Sequence, residues 1–176
     1  PLIAITLGDP VGIGPEIVAK ALADPRVTGC CRPLVLGSLA VLRRGIALGG
    51  LTLEAARVES LEAMEGEAVE AAAPAAVLEV GTANNLAGLP MGKVSTLAGK
   101  AGAEWVLAAG RLALEGRVAA MATAPINKAA LHLAGYQEPG HQELLARLVA
   151  EARGEARGST LRWTQGRLGS PRAGKT

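Results

Sequence analysis

The side chains best suited to chemistry fall in four short segments. The first is Gly8-Asp9-Pro10-Val11-Gly12-Ile13-Gly14-Pro15-Glu16, between an apolar run and a helical pattern. A glycine-rich turn placed there brings backbone N–H groups and a helix dipole to an anion, typically a phosphate. Asp9, Gly12 and Gly14 are its candidate residues. It is not the dinucleotide fingerprint, because Ile17 stands where the third glycine belongs. The structural alternative is a sharp turn that needs a glycine at positive φ.

The second segment is Thr123-Ala124-Pro125-Ile126-Asn127-Lys128, at the C-terminal end of a predicted parallel strand. Such strand ends line the ligand crevice of open α/β sheets. Asn127 and Lys128 suit a phosphate or carboxylate; the alternative is an ordinary surface lysine on a first helical turn. The third, Gly140-His141-Gln142-Glu143, follows a Pro-Gly turn at a helix start, from which an imidazole reaches a ligand. His132, between Leu131 and Leu133, reads as structural. Two histidines alone do not make a zinc site, so no metal centre is expected in this chain.

The fourth, Gly169-Ser170-Pro171-Arg172-Ala173-Gly174-Lys175-Thr176, matches the phosphate-loop pattern letter for letter. That mechanism needs a strand before the loop and a helix after it. An irregular basic stretch precedes this one, so the match is expected to be a coincidence.

The elements that position these segments follow from periodicity. Leu2 to Thr6 reads as a buried strand, and a helix with Pro15 in its first turn carries Ile17, Val18, Ala21 and Leu22 until Asp24-Pro25. Pro33 to Gly37 is a second strand, and Ser38 is placed to cap the helix that runs to Gly49-Gly50. Leu51 to Val58 and Val77 to Val80 are further strand candidates. Between them, Glu59 to Glu70 is a solvated charge run holding five glutamates. After a loop from Gly81 to Pro90, Thr96 is expected to cap a long helix through Glu115. Its packed side is read as Leu97, Gly99, Trp105, Ala108, Ala109 and Leu112. Val118 to Thr123 is read as a buried strand, Asn127 to Leu133 as a short helix, and His141 to Ala152 as the last helix. This alternation predicts an α/β fold, a mostly parallel sheet flanked by helices.

Composition narrows the function. The 176 residues are 49% hydrophobic and 19% charged, enough apolar character for a real core. No apolar run approaches a membrane span, and no export signal precedes the first strand, so no membrane partner and a cytoplasmic location are expected. Cys30 and Cys31 are adjacent and read as reduced thiols. Residues 1–150 hold 12 basic and 14 acidic side chains, whereas residues 151–176 hold six and two. The basic excess therefore lies in that last stretch, and with three aromatic residues in the chain no specific nucleic-acid partner is expected. The predicted organisation is an α/β portion over 1–150 and an irregular basic tail over 151–176.

Taken in order, Ile5 to Glu16, Thr123 to Lys128 and Gly140-His141-Gln142-Glu143-Leu144-Leu145-Ala146 resemble the amino-terminal half of the 4-hydroxythreonine-4-phosphate dehydrogenase family. Gly92-Lys93-Val94-Ser95 with its following helix fits the same family, and the resemblance covers about residues 2–148. It implies a fold like that of isocitrate and isopropylmalate dehydrogenases, and a homodimer with active sites at the subunit interface. It implies an oxidoreductase of pyridoxal phosphate biosynthesis: NAD-dependent oxidation of 4-phosphohydroxy-L-threonine, then decarboxylation, with a divalent metal (Zn, Mg or Co) polarising the developing carbonyl. The family's Gly-His-Thr contacts to its small phosphorylated hydroxy-acid substrate fall on His141 and Gln142. The change from Thr to Gln points to a related four-carbon substrate, threonate or erythronate 4-phosphate, as the alternative.

The family's second half carries three metal-ligand histidines, and this sequence has no histidine after His141. The resemblance thus implies a truncated member without metal ligands, expected to be inactive alone, with residues from about 149 onward foreign to the family. A non-catalytic module binding a phosphorylated metabolite is the competing expectation.

Overall fold

The computed structural model describes residues 1–62, 75–81 and 84–154. Strand β1 (Leu2–Thr6) leads into helix α1 (Gly14–Leu22) and the short helix α2 (Pro25–Thr28). Then come β2 (Arg32–Gly37), α3 (Leu39–Leu48), β3 (Ala55–Val58) and β4 (Ala75–Glu79). Helix α4 (Thr96–Leu114), β5 (Ala120–Thr123), α5 (Lys128–Leu133) and α6 (His141–Ala152) complete the described chain. The strands form one sheet in the order β3-β4-β2-β1-β5, every pair parallel. Ile5 of β1 lies between Val35 and Ala122. The expected α/β class with a mostly parallel sheet is observed.

Burial on both faces explains the apolar strands. Leu7, Val35 and Val77 pack with Val18 and Leu22 of α1 and Val41 and Leu42 of α3. Ala4, Leu34, Leu36 and Ala76 pack with Ala109 of α4 and with Val118.

Several local expectations change. The strand read over Val118 to Thr123 is confined to β5, and it is not buried: Ala120 and Ala122 are exposed, because β5 ends the described sheet. Helix α4 is capped by Ser95, not Thr96: Ser95 has the extended backbone and its Oγ accepts the Ala98 N–H at 3.4 Å. Leu97, read on the packed side of its helix, is 48% exposed, and Ile17, one of the apolar residues at helical spacing in α1, is 45% exposed. The Ser38 side chain caps nothing; Glu79 supplies the cap instead, its Oε1 accepting the Leu39 N–H at 3.0 Å. Asp24 ends α1 but also caps α2, which periodicity did not reveal.

Of the glutamate run, Glu62 pairs with Arg117 at 2.5 Å, and residues 63–70 lie outside the described residues. The boundary at 150/151 falls within α6, which continues to Ala152 before Gly154 turns at positive φ. The rest of the predicted tail, including the phosphate-loop match at Gly169 to Thr176, lies outside the described residues. Both cysteines are free thiols, and no described helix is long and apolar enough to cross a membrane.

Candidate functional site

Strand order places the site. From β1 the chain steps to β2 on one side, while α4 carries it back across the sheet to β5 on the other. The loops leaving β1 and β5 therefore meet at the switch point, where open parallel sheets bind ligands. They meet tightly. Gly8 has φ +69°, and a Cβ on it would lie 2.3 Å from the Pro125 carbonyl oxygen. The Asp9 N–H donates to that same oxygen at 2.8 Å. Glycine at position 8 is thus required twice, by conformation and by contact.

Asp9 organises the junction. Its carboxylate is buried, accepts the Val11 N–H at 3.0 Å and accepts a side-chain hydrogen bond from Asn127. The Asp9 carbonyl takes the Gly12 N–H at 3.1 Å. Gly12 lies beneath the carboxylate, since a Cβ there would sit 3.2 Å from the Asp9 Cβ. Burial pushes the Asp9 pKa above its ordinary value, and the hydrogen bonds from Val11 and Asn127 oppose that rise. Asn127 works in both directions. Its Oδ1 caps α5 by accepting the Ala130 N–H at 3.0 Å, leaving its amide to reach Asp9. Gly14 is the first residue of α1 and is buried against the Leu7 carbonyl.

The remaining candidates begin the two helices that follow. Lys128 is the exposed first residue of α5, and His141, half-buried, is the first of α6, followed by exposed Gln142. Leu144, one turn past His141, packs with Ala103, Leu131, Ile126 and Tyr136, so the start of α6 shares an apolar cluster with the β5–α5 loop. Arg147 binds Glu138 and, at 2.8 Å, Glu151, which pins the turn before His141 to the helix after it. Among the described residues, no hydrogen bond holds the side chains of Lys128, His141 or Gln142. Their donors are open, whereas Asp9, Gly12 and Asn127 are committed to bracing the loops.

The anion reading of the glycine loop changes accordingly. The Val11 and Gly12 N–H groups are satisfied inside the loop, so the loop does not fit a dinucleotide cradle. Among the described residues no group of three His, Cys, Asp or Glu side chains gathers, so those residues do not fit a three-histidine metal site. One braced residue was missed by sequence reading. Arg44 donates to the Ala87 carbonyl at 2.5 Å and to the Pro10 carbonyl. Its signal was a charge beside the buried stripe Val41, Leu42, Gly45 and Ile46.

Residues 29–157 match the model of the pyridoxal phosphate biosynthetic protein PdxA. The chain belongs to the PdxA family. The match runs beyond Leu148, where the resemblance read from the sequence stopped. The chain is 44% identical over 150 residues to a 4-hydroxythreonine-4-phosphate dehydrogenase of Trichlorobacter lovleyi, covering 84% of this chain and 43% of that protein. It is 48% identical over 150 residues to a D-threonate 4-phosphate dehydrogenase of Salmonella typhimurium, with the same coverages of 84% and 43%. The crystal structure of a 4-hydroxythreonine-4-phosphate dehydrogenase from Burkholderia phymatum superposes with a TM-score of 0.73 at 36% identity. That superposition covers 85% of this chain and 44% of the Burkholderia chain. The chain therefore spans under half the length of the PdxA relatives it matches, and those relatives are dehydrogenases.

Proposed function

We propose that this chain forms the substrate-facing loops of a PdxA-type oxidoreductase acting on a four-carbon hydroxy acid that carries a terminal phosphate. The observation that carries the reading is the switch-point junction. The Asp9 N–H on the Pro125 carbonyl ties two loops together at 2.8 Å, and Lys128, His141 and Gln142, at the starts of the two helices that follow, carry open donors. A phosphate accepts several hydrogen bonds at once, and the Lys128 ammonium offers three donors to it. The His141 ring and the Gln142 amide offer directed hydrogen bonds to a hydroxyl or carboxylate.

The substrate of the leading reading is 4-phosphohydroxy-L-threonine, oxidised at its secondary alcohol and then decarboxylated. D-threonate 4-phosphate is the second reading, favoured by the 48% identity to the Salmonella enzyme. NAD, a divalent metal and a cytoplasmic homodimer belong to the same proposal for the complete enzyme. This chain's own residues contribute binding and orientation to it.

Calorimetry of the chain with each phosphorylated acid tests the reading. Binding of one acid, weakened about tenfold by Lys128→Ala and by His141→Ala, is the expected result, the size of one lost charge-assisted hydrogen bond. No heat at millimolar ligand refutes it.

A further inference from the structure

We propose that Arg44 is a positioning residue whose guanidinium clamps the Pro10–Val11 peptide against Asp9. The clamp locks the glycine loop, the turn at residues 86–89 and the β5–α5 loop into one body. The proposal rests on the reading of these loops as a ligand site and deepens it.

Arg44 leaves α3 from a fixed point. Its neighbour Gly45 is pressed against α1 so closely that a Cβ would lie 2.6 Å from the Pro15 carbonyl group. From there the guanidinium forks. One nitrogen, Nη1, donates to the carbonyls of Ala87 at 2.5 Å and Leu89 at 3.4 Å. The other, Nη2, donates to the carbonyl of Pro10. All three acceptors are main-chain oxygens on two separate loops, and among the described residues no carboxylate pairs with this cation. A half-buried arginine satisfied only by loop carbonyls is placed to hold backbone.

The Pro10 carbonyl and the Val11 N–H belong to one peptide group. Arg44 holds its oxygen, and the Asp9 carboxylate holds its N–H at 3.0 Å. A cation at one end and a carboxylate at the other polarise the group, so each hydrogen bond strengthens the other. Because the peptide is planar, rotating it breaks both. Asp9 passes the constraint to Asn127, which caps α5. The Val11 carbonyl also accepts the Gly92 N–H at 2.8 Å, joining the segment after the turn to the same body. Lysine cannot replace this arrangement, since a single ammonium lacks the planar fork that spans both loops.

Two variants separate the parts. Arg44→Met keeps most of the aliphatic stem and removes the donors, while Arg44→Lys keeps the charge and removes the fork. Hydrogen exchange without any ligand is read at the amides of Val11, Gly12, Leu89 and Gly92, with Val35 and Val106 as core references. The four loop amides are expected to exchange about ten- to a hundredfold faster in both variants, with the core amides unchanged. Calorimetry with D-threonate 4-phosphate and with 4-phosphohydroxy-L-threonine is expected to show affinity falling about tenfold in both variants.

Loop amides that keep wild-type rates overturn the proposal. So does full restoration by lysine, or an equal acceleration of loop and core amides. If the wild-type chain binds neither acid while the loop amides still respond, the clamp stands and the ligand reading falls.

Discussion

Gly8 offers the sharpest test of how the two loops are joined. In Gly8→Ala the new Cβ meets the backbone in two ways. The residue sits at φ +69°, and the left-handed conformation costs an L-residue about 1–2 kcal/mol. The Cβ also falls 2.3 Å from the Pro125 oxygen and 2.8 Å from the Ala124 carbonyl carbon, and neither is the end of a flexible side chain. Relief requires the β1 and β5 ends to part, which breaks the 2.8 Å hydrogen bond from the Asp9 N–H to Pro125. Overpacking of that kind adds about 1–3 kcal/mol, for a total loss of about 2–5 kcal/mol.

Gly116 supplies the control. It has the same φ of +69°, and a Cβ there meets nothing within 4 Å. Gly116→Ala therefore carries only the conformational cost of about 1–2 kcal/mol. Urea unfolding of the two variants and the wild type, at matched m-values, gives the difference directly. Equal destabilisation within about 0.5 kcal/mol refutes the contact argument and with it the tight junction at the switch point.

Other expectations follow from single groups. Burial raises the Asp9 pKa in the folded state, so the folded chain holds that proton more tightly than the unfolded one. The stability this group adds is fully present below the ordinary value of 3.8 and is lost as pH rises through the folded pKa. Asp9→Asn should remove that pH dependence, and an NMR midpoint for the Asp9 carboxyl below 3.8 refutes the assignment. Thr6 Oγ1 is buried with no hydrogen-bond partner among the described residues, so Thr6→Val should raise stability by about 1 kcal/mol in urea titration. A loss of similar size contradicts it. The 176-residue chain should not reduce NAD with either phosphorylated acid and added Zn, Mg or Co, because its two histidines, His132 and His141, supply no three-ligand set. Turnover above a blank without enzyme overturns that expectation.

The fold was legible wherever local chemistry decided it. Leu2–Thr6 and His141–Ala152 stand where periodicity placed them, and Gly49 closes its helix as read. What stayed hidden was supplied from a distance. Glu79 caps α3 from another strand, which no window around Ser38 contains. The exposure of β5 depends on what lies beside it in the sheet, and a run from Val118 to Thr123 cannot report that. At the site, the residue types were legible and their partners were not. Asp9 and Asn127 read as groups open to a ligand, yet they bind each other, because 118 positions of sequence separate two loops that the sheet order brings together.

Helix α4 explains how so many separate pieces reach one place. It returns the chain from β4 past β2 and β1 to β5, and its 19 residues span about 28 Å, ample for that crossing. Along that length its small residues mark each close approach. A Cβ on Gly99 would lie 1.9 Å from the Ala130 oxygen, so α5 rests directly on the helix backbone. A Cβ on Gly102 would lie 3.1 Å from the Gly8 carbonyl oxygen, and one on Gly110 would lie 2.7 Å from Leu145 and Leu148 of α6. Each glycine costs the isolated helix about 1 kcal/mol relative to alanine. That cost is offset by what the missing side chains admit: the glycine loop, the helix that Asn127 caps and the helix that His141 begins all contact one rod. The donors at the starts of α5 and α6 therefore hold their spacing through α4, although no hydrogen bond among the described residues joins His141 to the glycine loop.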